Sequence, residues 1–179
     1  MADLALRIAE TADIDRLKHV MRLAIAELQK GFLSPEELAA SSDIMGLDTQ
    51  LIADRTYFVV EDGGEIAGCG GWSRRKTLFG GDHSAGRDAA LLDPACDAAK
   101  IRAMYTHPDH VRRGVGRIIL SACETAAAAE GFSRTEMAAT LAGVPLYEAC
   151  GYQRLEFFKS PTRSGVEVPL WRMGKDLGA

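Results

Sequence analysis

The segment from His107 to Leu120 most constrains what this chain can fold into. An apolar, strand-like run over residues 101–106 stops at Pro108, and a loop with three arginines and two glycines follows. A long alanine-rich pattern with helical spacing begins at about Gly114. A strand, a glycine loop and a helix in this order direct backbone N–H groups outward at a helix N-terminus, where phosphates commonly bind. The segment therefore predicts a phosphate site, although an ordinary strand-to-helix turn with solubilising arginines has the same pattern.

Length and charge indicate one domain over residues 1–179 that binds a small ligand. A chain of 179 residues can bury a substantial core. Its net charge of −4 gives no general attraction for nucleic acid. Residues 1–10 carry charged side chains instead of a secretory signal, and no run approaches the roughly 18–20 apolar residues that cross a bilayer. We therefore expect a cytoplasmic protein with no membrane and no nucleic-acid partner.

The four cysteines do not form a recognisable metal or redox motif. They are evenly spaced, at Cys69, Cys96, Cys123 and Cys150, but their flanking residues do not match. The even spacing is therefore interpreted as coincidence and not as an internal repeat. No pair has CxxC spacing, and histidine is scarce. The prediction is free, buried thiols and no metal site.

Apolar periodicity and turn residues predict an alternation of strands and helices. The expected strands cover residues 4–9, 56–61, 65–73, 99–106, 134–140, 152–159 and 166–173. The expected helices begin near Thr11, Ser34, Gly114 and Pro145. Three glycines in the second strand of the 56–73 hairpin predict a bulge or a close ligand approach; they are Gly68, Gly70 and Gly71. The long segment 79–96 is either functional or disordered.

A second motif follows the predicted phosphate loop. It runs from Thr140 through Tyr147 to Gly151 and Tyr152. With both motifs in this order, the chain resembles the GNAT (Gcn5-related) N-acetyltransferases. The pyrophosphate loop of that family reads Arg/Gln-x-x-Gly-x-Gly/Ala, and its later helix carries a Tyr shortly before Gly-Phe or Gly-Tyr. The order of elements agrees from Leu6 to Met173. The resemblance implies an α+β fold, a three-layer α/β/α sandwich whose central mixed sheet is mostly antiparallel.

The sequence departs from the family pattern at three places. Val111 stands where Arg or Gln is usual, which makes Arg112 and Arg113 more important for positive charge. Thr140 stands where Asn is usual, so a hydroxyl replaces a carboxamide. The strand 100–106 lacks the carboxylate that the family often places there.

The resemblance implies acetyl transfer from acetyl-CoA to a primary amine by direct attack. The strand backbone at Met104, Tyr105 and Thr106 would pair with the pantetheine arm. Main-chain N–H groups would bind the pyrophosphate, and the residues concerned are Val111, Arg112, Arg113, Gly114, Val115, Gly116 and Arg117. Thr140 and Tyr147 complete the expected cofactor site.

Each chemical step has an expected group. The N–H of Met104 or Tyr105 would stabilise the developing oxyanion. Tyr147 would protonate the departing thiolate, because a phenol with a pKa near ~10 can donate to an alkyl thiolate. The base that deprotonates the amine is left open among Asp82, His83, Asp88, Glu61 and a chain of waters.

Other interpretations stay open. A non-catalytic acyl-CoA sensor would keep the phosphate loop without turnover, and a P-loop enzyme is disfavoured because no Gly-Lys-Ser/Thr ending is present. Tyr147 could be a core aromatic, and His83 a solvated loop residue. Trp72 could belong to the core or to the pocket wall, and residues 74–76 could be a solvated strand end or contact a phosphate.

The acceptor is a small-molecule or peptide amine, and a homodimer is expected by family analogy.

Overall fold

The structure is a computed structural model that describes residues 3–178. Its sheet has seven strands in the order β1-β2-β3-β4-β5-β7-β6. The strands are β1 (Ala5–Ile8), β2 (Tyr57–Asp62), β3 (Glu65–Ser73), β4 (Ala99–Thr106), β5 (Arg134–Thr140), β6 (Gln153–Ser160) and β7 (Val168–Asp176). The helices are α1 (Ile14–Leu28), α2 (Pro35–Ser41), α3 (Thr49–Ala53), α4 (Val115–Ala129) and α5 (Val144–Ala149).

The helices cover both faces of the sheet. Successive strand residues point to opposite faces. Val59 accordingly packs in an apolar cluster with α1, whereas Val60 packs in a second cluster with α4. All neighbouring strands are antiparallel except β4 and β5, which are parallel. The predicted three-layer fold with a mixed, mostly antiparallel sheet is confirmed.

Two helix starts follow from their capping residues. Ser34 caps α2, because its hydroxyl accepts from the Glu37 N–H and the Glu37 carboxylate accepts from the Ser34 N–H. The helix expected from Thr11 instead starts with a 3-10 turn over Thr11–Asp13 and becomes α-helical at Ile14. Asp13 fixes this start by accepting from the Glu10 N–H at 2.8 Å.

The glycines of β3 allow a helix to approach closely. A Cβ on Gly68 would collide with Val115 of α4, and a Cβ on Gly70 would collide with Sδ of Met104 in β4 and lie 2.9 Å from Cγ2 of Ile119 in α4. The close approach at these two glycines is therefore made by α4 and β4. Opposite β2, the strand β3 carries one extra residue, Ala67, between the pairs Val60–Gly68 and Glu61–Ile66, which confirms the predicted bulge. The β3–β4 register also shifts between Cys69 and Gly71, and there the extra residue lies in β4.

The parallel neighbours β4 and β5 separate soon after they meet. They pair only at Ala99 with Thr135 and at Lys100 with Glu136. The rest of β4 stays paired with β3 through Thr106. The β5-facing edge of β4 is therefore open beyond Lys100, and a wedge forms between the two strands.

The long connection between β3 and β4 is folded back on itself. Backbone bonds join Lys76 to Ala90 at 2.9 Å and Leu92 to Arg74 at 2.8 Å. Arg74 forms an ion pair with Glu130 at 2.6 Å, so the basic strand end serves structural contacts. Trp72 belongs to the core, since it is 2% exposed and its ring packs edge-on against another aromatic ring. Within residues 3–178 no helix has the length and apolar character needed to cross a membrane.

Candidate acetyl-CoA and acceptor site

A cavity of about 800 Å³ lies in the wedge between β4 and β5. Its walls come from the C-terminal half of β4, the loop before α4, the end of β5, α5, and the segments around residues 24–32, 44–46 and 78–80. Most of the residues predicted from the sequence line it together, namely Met104, Tyr105, Thr106, Val111, Arg112, Gly114, Val115, Gly116, Arg117, Thr140 and Tyr147. One fold feature, the divergence of two strands, thus brings distant motifs to one place.

The loop before α4 has the backbone geometry of an anion-binding site. Arg112 and Gly114 both have positive φ, at 61° and 83°, in a loop where neighbouring N–H groups converge. The first helical hydrogen bond is from the Ile118 N–H to the Gly114 carbonyl. Among the described residues, the N–H groups of 112–117 find no internal acceptor. A Cβ on Gly114 would meet no atom within 4 Å, so open space lies beside these donors.

Gly116 serves helix packing as well as the loop. A Cβ at this position would lie 2.6 Å from Cδ2 of Leu146 in α5. The absence of a side chain therefore lets α5 approach the N-terminal turn of α4. This contact helps to hold Tyr147, the next residue of α5, at the wall of the cavity.

The arginines of the loop separate into two groups. Arg112 and Arg117 line the cavity and supply its positive charge. Arg113 does not line it, because its guanidinium donates to Asp62 at 2.7 Å and contacts Nδ1 of His110 at 2.7 Å. The Arg113 guanidinium thus pairs with Asp62 of β2, and only the backbone of Arg113 belongs to the anion-binding loop.

The contact with Arg113 also sets the proton position on His110. A guanidinium has no acceptor, so Nδ1 of His110 accepts the hydrogen bond and Nε2 carries the ring proton. His110 lines the cavity.

The bulge in β4 is held by two tyrosines. Ala103 has a φ of 50°, which is unusual for a residue with a side chain. The Tyr57 hydroxyl donates to the Ala103 carbonyl at 2.7 Å, and the Tyr105 hydroxyl accepts from the Gly46 N–H at 2.9 Å. Tyr105 therefore has a structural role in addition to its place in the cavity lining. These bonds fix the backbone around Met104, where the thioester carbonyl is expected.

Tyr147 is held firmly in α5. Its side chain is 8% exposed, and its ring packs edge-on against Tyr152 at a centroid distance of 6.1 Å. The ring also lies close above Gly143, where a Cβ would be 2.8 Å from Cε2. Burial raises the pKa of the phenol above its ordinary value of 10.0, so the group keeps its proton at neutral pH. The Thr140 hydroxyl accepts from the Gly143 N–H at 3.3 Å, which supports the start of α5.

The four side chains considered as bases lie outside the cavity lining and have structural partners. Asp82 accepts from the N–H and the hydroxyl of Thr49, and Nε2 of His83 donates to the Ser42 carbonyl at 2.6 Å. Glu61 pairs with Arg7 at 2.8 Å, and Asp88 accepts from the Ala90 N–H. The structure therefore does not bring Asp82 and His83 together with Tyr147 and Met104.

Sequence reasoning missed a buried ion pair at the cavity wall. Nη2 of Arg102 lies 2.9 Å from Oδ2 of Asp48 and donates to the Gly80 carbonyl at 2.7 Å. Burial lowers the pKa of Arg102, while the carboxylate of Asp48 raises it. An arginine inside an otherwise apolar strand was the available signal, because such a charge requires a partner when buried.

Gln29 is the other residue that sequence reasoning missed. It follows the last residue of α1, is 5% exposed and lines the cavity. Its side-chain oxygen has no hydrogen-bond partner among the residues that the structure describes. Unpartnered buried side-chain oxygens are few in folded proteins.

Comparison with known proteins agrees with this geometry. The family model of the acetyltransferase (GNAT) domain matches residues 53–154. No curated protein matches the sequence. A GCN5-related N-acetyltransferase from Rhodopseudomonas palustris, also described as a class-II aminotransferase, is 21% identical with a TM-score of 0.71, and the match covers 98% of this chain and 97% of its own.

Two ligand-bound structures share the fold. YncA from Salmonella typhimurium, with its cofactor acetyl-CoA, is 17% identical with a TM-score of 0.64, and covers 99% of this chain and 96% of its own. The PaiA N-acetyltransferase from Thermoplasma acidophilum, in complex with coenzyme A, is 13% identical with a TM-score of 0.62. The match covers 97% of this chain and 99% of its own. Sequence identities this low show only that the fold is shared. The family model, in contrast, matches more than half of the sequence. The chain is therefore a member of the GNAT acetyltransferase family.

Proposed function

We propose that this protein transfers an acetyl group from acetyl-CoA to a primary amine by direct attack of the amine on the thioester. The observation that carries the proposal is the shared cavity. Its lining includes the donor loop before α4, the open edge of β4 and the phenol of Tyr147. The order of these groups along the cavity suits a long ligand with phosphates at one end and a reactive thioester at the other.

The loop before α4 would hold the pyrophosphate. Its N–H groups lack internal acceptors, and Arg112 and Arg117 add positive charge beside them. Each hydrogen bond to a charged oxygen contributes on the order of 1.5–3 kcal/mol. Val111 contributes through its backbone, so its apolar side chain is compatible with binding.

The open edge of β4 would bind the pantetheine arm. Residues 104–106 have strand backbone on the side from which β5 has separated. An extended ligand can pair with such an edge as an added strand does. The N–H of Met104 or Tyr105 would then donate to the thioester oxygen as negative charge develops there.

Tyr147 would act as the general acid. When the neutral amine attacks, the carbon–nitrogen bond forms, the carbon–sulfur bond breaks and the sulfur leaves with its electron pair. The nitrogen loses one proton to water, from which Tyr147 can recover the proton that it gives to the sulfur. The Tyr147 hydroxyl can give this sulfur a proton, and its raised pKa keeps the proton available across the neutral range. The group is also rigidly packed, which keeps the donor in one position.

The test is release of CoA thiol from acetyl-CoA in the presence of a panel of primary amines. Cys96 is exposed and would react with a thiol reagent, so the assay uses the Cys96→Ser protein. Thiol release that depends on the amine, together with an acetylated product of the expected mass, supports the proposal. Tight acetyl-CoA binding without release on any amine would support the acyl-CoA sensor instead. The cytoplasmic location and the homodimer remain predictions.

A further inference from the structure

The walls of the cavity come from both faces of the sheet, and the two sides differ in chemistry. The donor loop before α4 and the helix α5 lie on the face that α4 covers. On the opposite face, under α1 and α2, the cavity has an apolar wall made of Leu28, Phe32, Ile44, Met45, Leu78 and Phe79. A thioester held by the donor loop occupies the α4 side. An acceptor therefore reaches it along the apolar wall.

The apolar wall leaves hydrocarbon surface uncovered. Phe32 lines the cavity, yet it is 48% exposed. Its N–H donates to the Gln29 carbonyl at 3.1 Å, which supports the turn that carries it. Four other residues of the wall are only partly buried, namely Leu28, Met45, Leu78 and Phe79. A ligand that covers this surface with its own hydrocarbon is stabilised by the hydrophobic effect.

The cavity offers no carboxylate to a charged acceptor. Within residues 3–178, no aspartate or glutamate lines it. The charge of Arg102 is already compensated by Asp48, and both side chains are 2% exposed. The Tyr105 hydroxyl is bonded to a backbone N–H, and the side-chain oxygen of Gln29 is buried away from solvent. A second ammonium group against the apolar wall would lose water without gaining an ionic partner, which is unfavourable.

We propose, building on the acetyl transfer proposed above, that the acceptor is a primary amine with a hydrocarbon body that packs on the apolar wall and with no charged group besides the reacting amine. Phe32 is a specificity-determining residue, since it is the wall residue with the largest exposed fraction left to cover. Free alkyl or aryl amines share this chemistry with a peptide whose first side chain is apolar.

The acceptor series varies the body while the amine stays the same. Ethylamine, butylamine and hexylamine have nearly the same amine pKa, so differences between their rates report contacts of the hydrocarbon chain. Putrescine is butylamine with a second amine at its other end, and it tests the added charge. For each acceptor, kcat/KM is measured with saturating acetyl-CoA by thiol release in the Cys96→Ser protein.

Two substitutions at Phe32 are compared with a matched control. Phe32→Ala removes the ring, and Phe32→Leu keeps an apolar side chain at the same place. Phe157→Ala makes the first change on β6, where Phe157 has a nearly equal exposure of 47% and does not line the cavity. Thermal unfolding and the Kd for acetyl-CoA establish that each variant is folded.

We expect hexylamine to exceed ethylamine, and butylamine to exceed putrescine, by at least about tenfold in kcat/KM. Phe32→Ala should lower the value for hexylamine about tenfold and leave ethylamine within about twofold. Phe32→Leu should keep most of the preference for hexylamine, and Phe157→Ala should change neither amine. Equal rates along the alkyl series, faster turnover of putrescine, or a Phe32→Ala variant that keeps the full preference for hexylamine would overturn the inference while acetyl transfer stands.

Two tripeptides distinguish the sources of the apolar group. One begins with phenylalanine and the other with serine, and both continue with two glycines. A preference for the phenylalanine peptide that Phe32→Ala removes identifies a peptide N-terminus as a source of the acceptor. A chain-length preference confined to the alkylamines identifies a free amine as the acceptor.

Binding to the CoA-saturated protein separates the acceptor inference from the catalytic proposal. If hexylamine binds this complex and Phe32→Ala weakens the binding about tenfold, but no amine is acetylated, the apolar acceptor site is correct and the catalytic proposal is wrong. If neither hexylamine nor the phenylalanine peptide binds or reacts, the acceptor inference is wrong, whether or not another amine is acetylated.

Discussion

Arg102 and Asp48 form an ion pair in which both side chains are only 2% exposed. The two residues are far apart in sequence and join β4 to the residue that caps α3. Arg87 makes a second contact with Asp48 at 2.8 Å, and Arg102 also reaches the Gly80 carbonyl. This pair thereby connects the long β3–β4 connection to the strand that lines the cavity.

Removing one partner of this pair should be strongly destabilising. Asp48→Ala leaves the Arg102 guanidinium buried without its carboxylate, and we expect a loss of about 3–5 kcal/mol in the free energy of unfolding. Urea unfolding followed by circular dichroism measures it. The control is Glu27→Ala, which breaks an exposed pair with Lys30 and should change the stability by less than about 0.5 kcal/mol. Equal losses of unfolding free energy in Asp48→Ala and Glu27→Ala would contradict the stabilising role of the buried pair.

Tyr147→Phe should separate turnover from binding. The substitution keeps the ring packed against Tyr152 and removes only the proton donor, so kcat should fall by about 10²–10⁴ while the Kd for acetyl-CoA stays within about twofold. The matched control is Tyr152→Phe, whose hydroxyl bonds to Thr135 at 2.8 Å in the core. That variant should lose about 1 kcal/mol of stability and keep its kcat. Unchanged turnover in Tyr147→Phe would remove its role as the acid.

Gly114→Asp should weaken CoA binding. The new side chain would enter the open space beside the N–H donors and place negative charge where the pyrophosphate is expected. Gly165 has nearly the same backbone conformation, with a φ of 82° against 83°, and also faces open space. Gly165→Asp therefore imposes the same strain, of about 1–2 kcal/mol, away from the loop. Isothermal titration should show at least tenfold weaker binding for Gly114→Asp only; equal affinities would place the phosphates elsewhere.

Stability should depend on pH through Asp13 near the start of α1. Two hydrogen bonds from Arg7, each 2.8 Å long, lower the pKa of this buried carboxyl below its ordinary value of 3.8. A lowered folded-state pKa means that the stabilisation is present above the ordinary value and is lost as the pH falls below it. Asp13→Asn should therefore cost about 1–3 kcal/mol at pH 7, and the difference should shrink as the pH falls from about 4 to 2.

Urea unfolding over this pH range measures the effect of Asp13. Asp15→Asn, at an exposed position on α1, serves as the control and should stay within about 0.5 kcal/mol of the unchanged protein at pH 7. The lowered pKa of Asp13 would be contradicted if the Asp13→Asn variant and the unchanged protein still differed as much in unfolding free energy at pH 2 as they do at pH 7.

Local chemistry made several elements predictable from the sequence. The expected bounds of three strands, 65–73, 99–106 and 134–140, coincide with β3, β4 and β5. Ser34 starts α2 as its capping box indicates. The loop before α4 also followed from its glycines, because positive φ at Gly114 is a local requirement. Each of these features depends on residues that are neighbours in the chain.

The features that could not be predicted depend on residues that meet only in the folded protein. Asp82 and His83 looked like available bases, yet they are bound to the ends of neighbouring helices. Arg113 looked like a cavity cation, but Asp62, far away in sequence, holds its side chain. The unpaired amide of Gln29 is visible only once the surrounding walls are in place.

The brief contact between β4 and β5 has a mechanical consequence. Within residues 3–178, the strand ladder that joins β1–β4 to β5–β7 consists of only two residue pairs, both between β4 and β5. The strand pairing in the sheet is therefore weakest between β4 and β5, where the cavity opens. A molecule that fills the wedge between β4 and β5 would contact both strands and should therefore oppose their separation. Amide exchange at the inner strands would then report occupancy directly, with slower exchange whenever the cleft is filled.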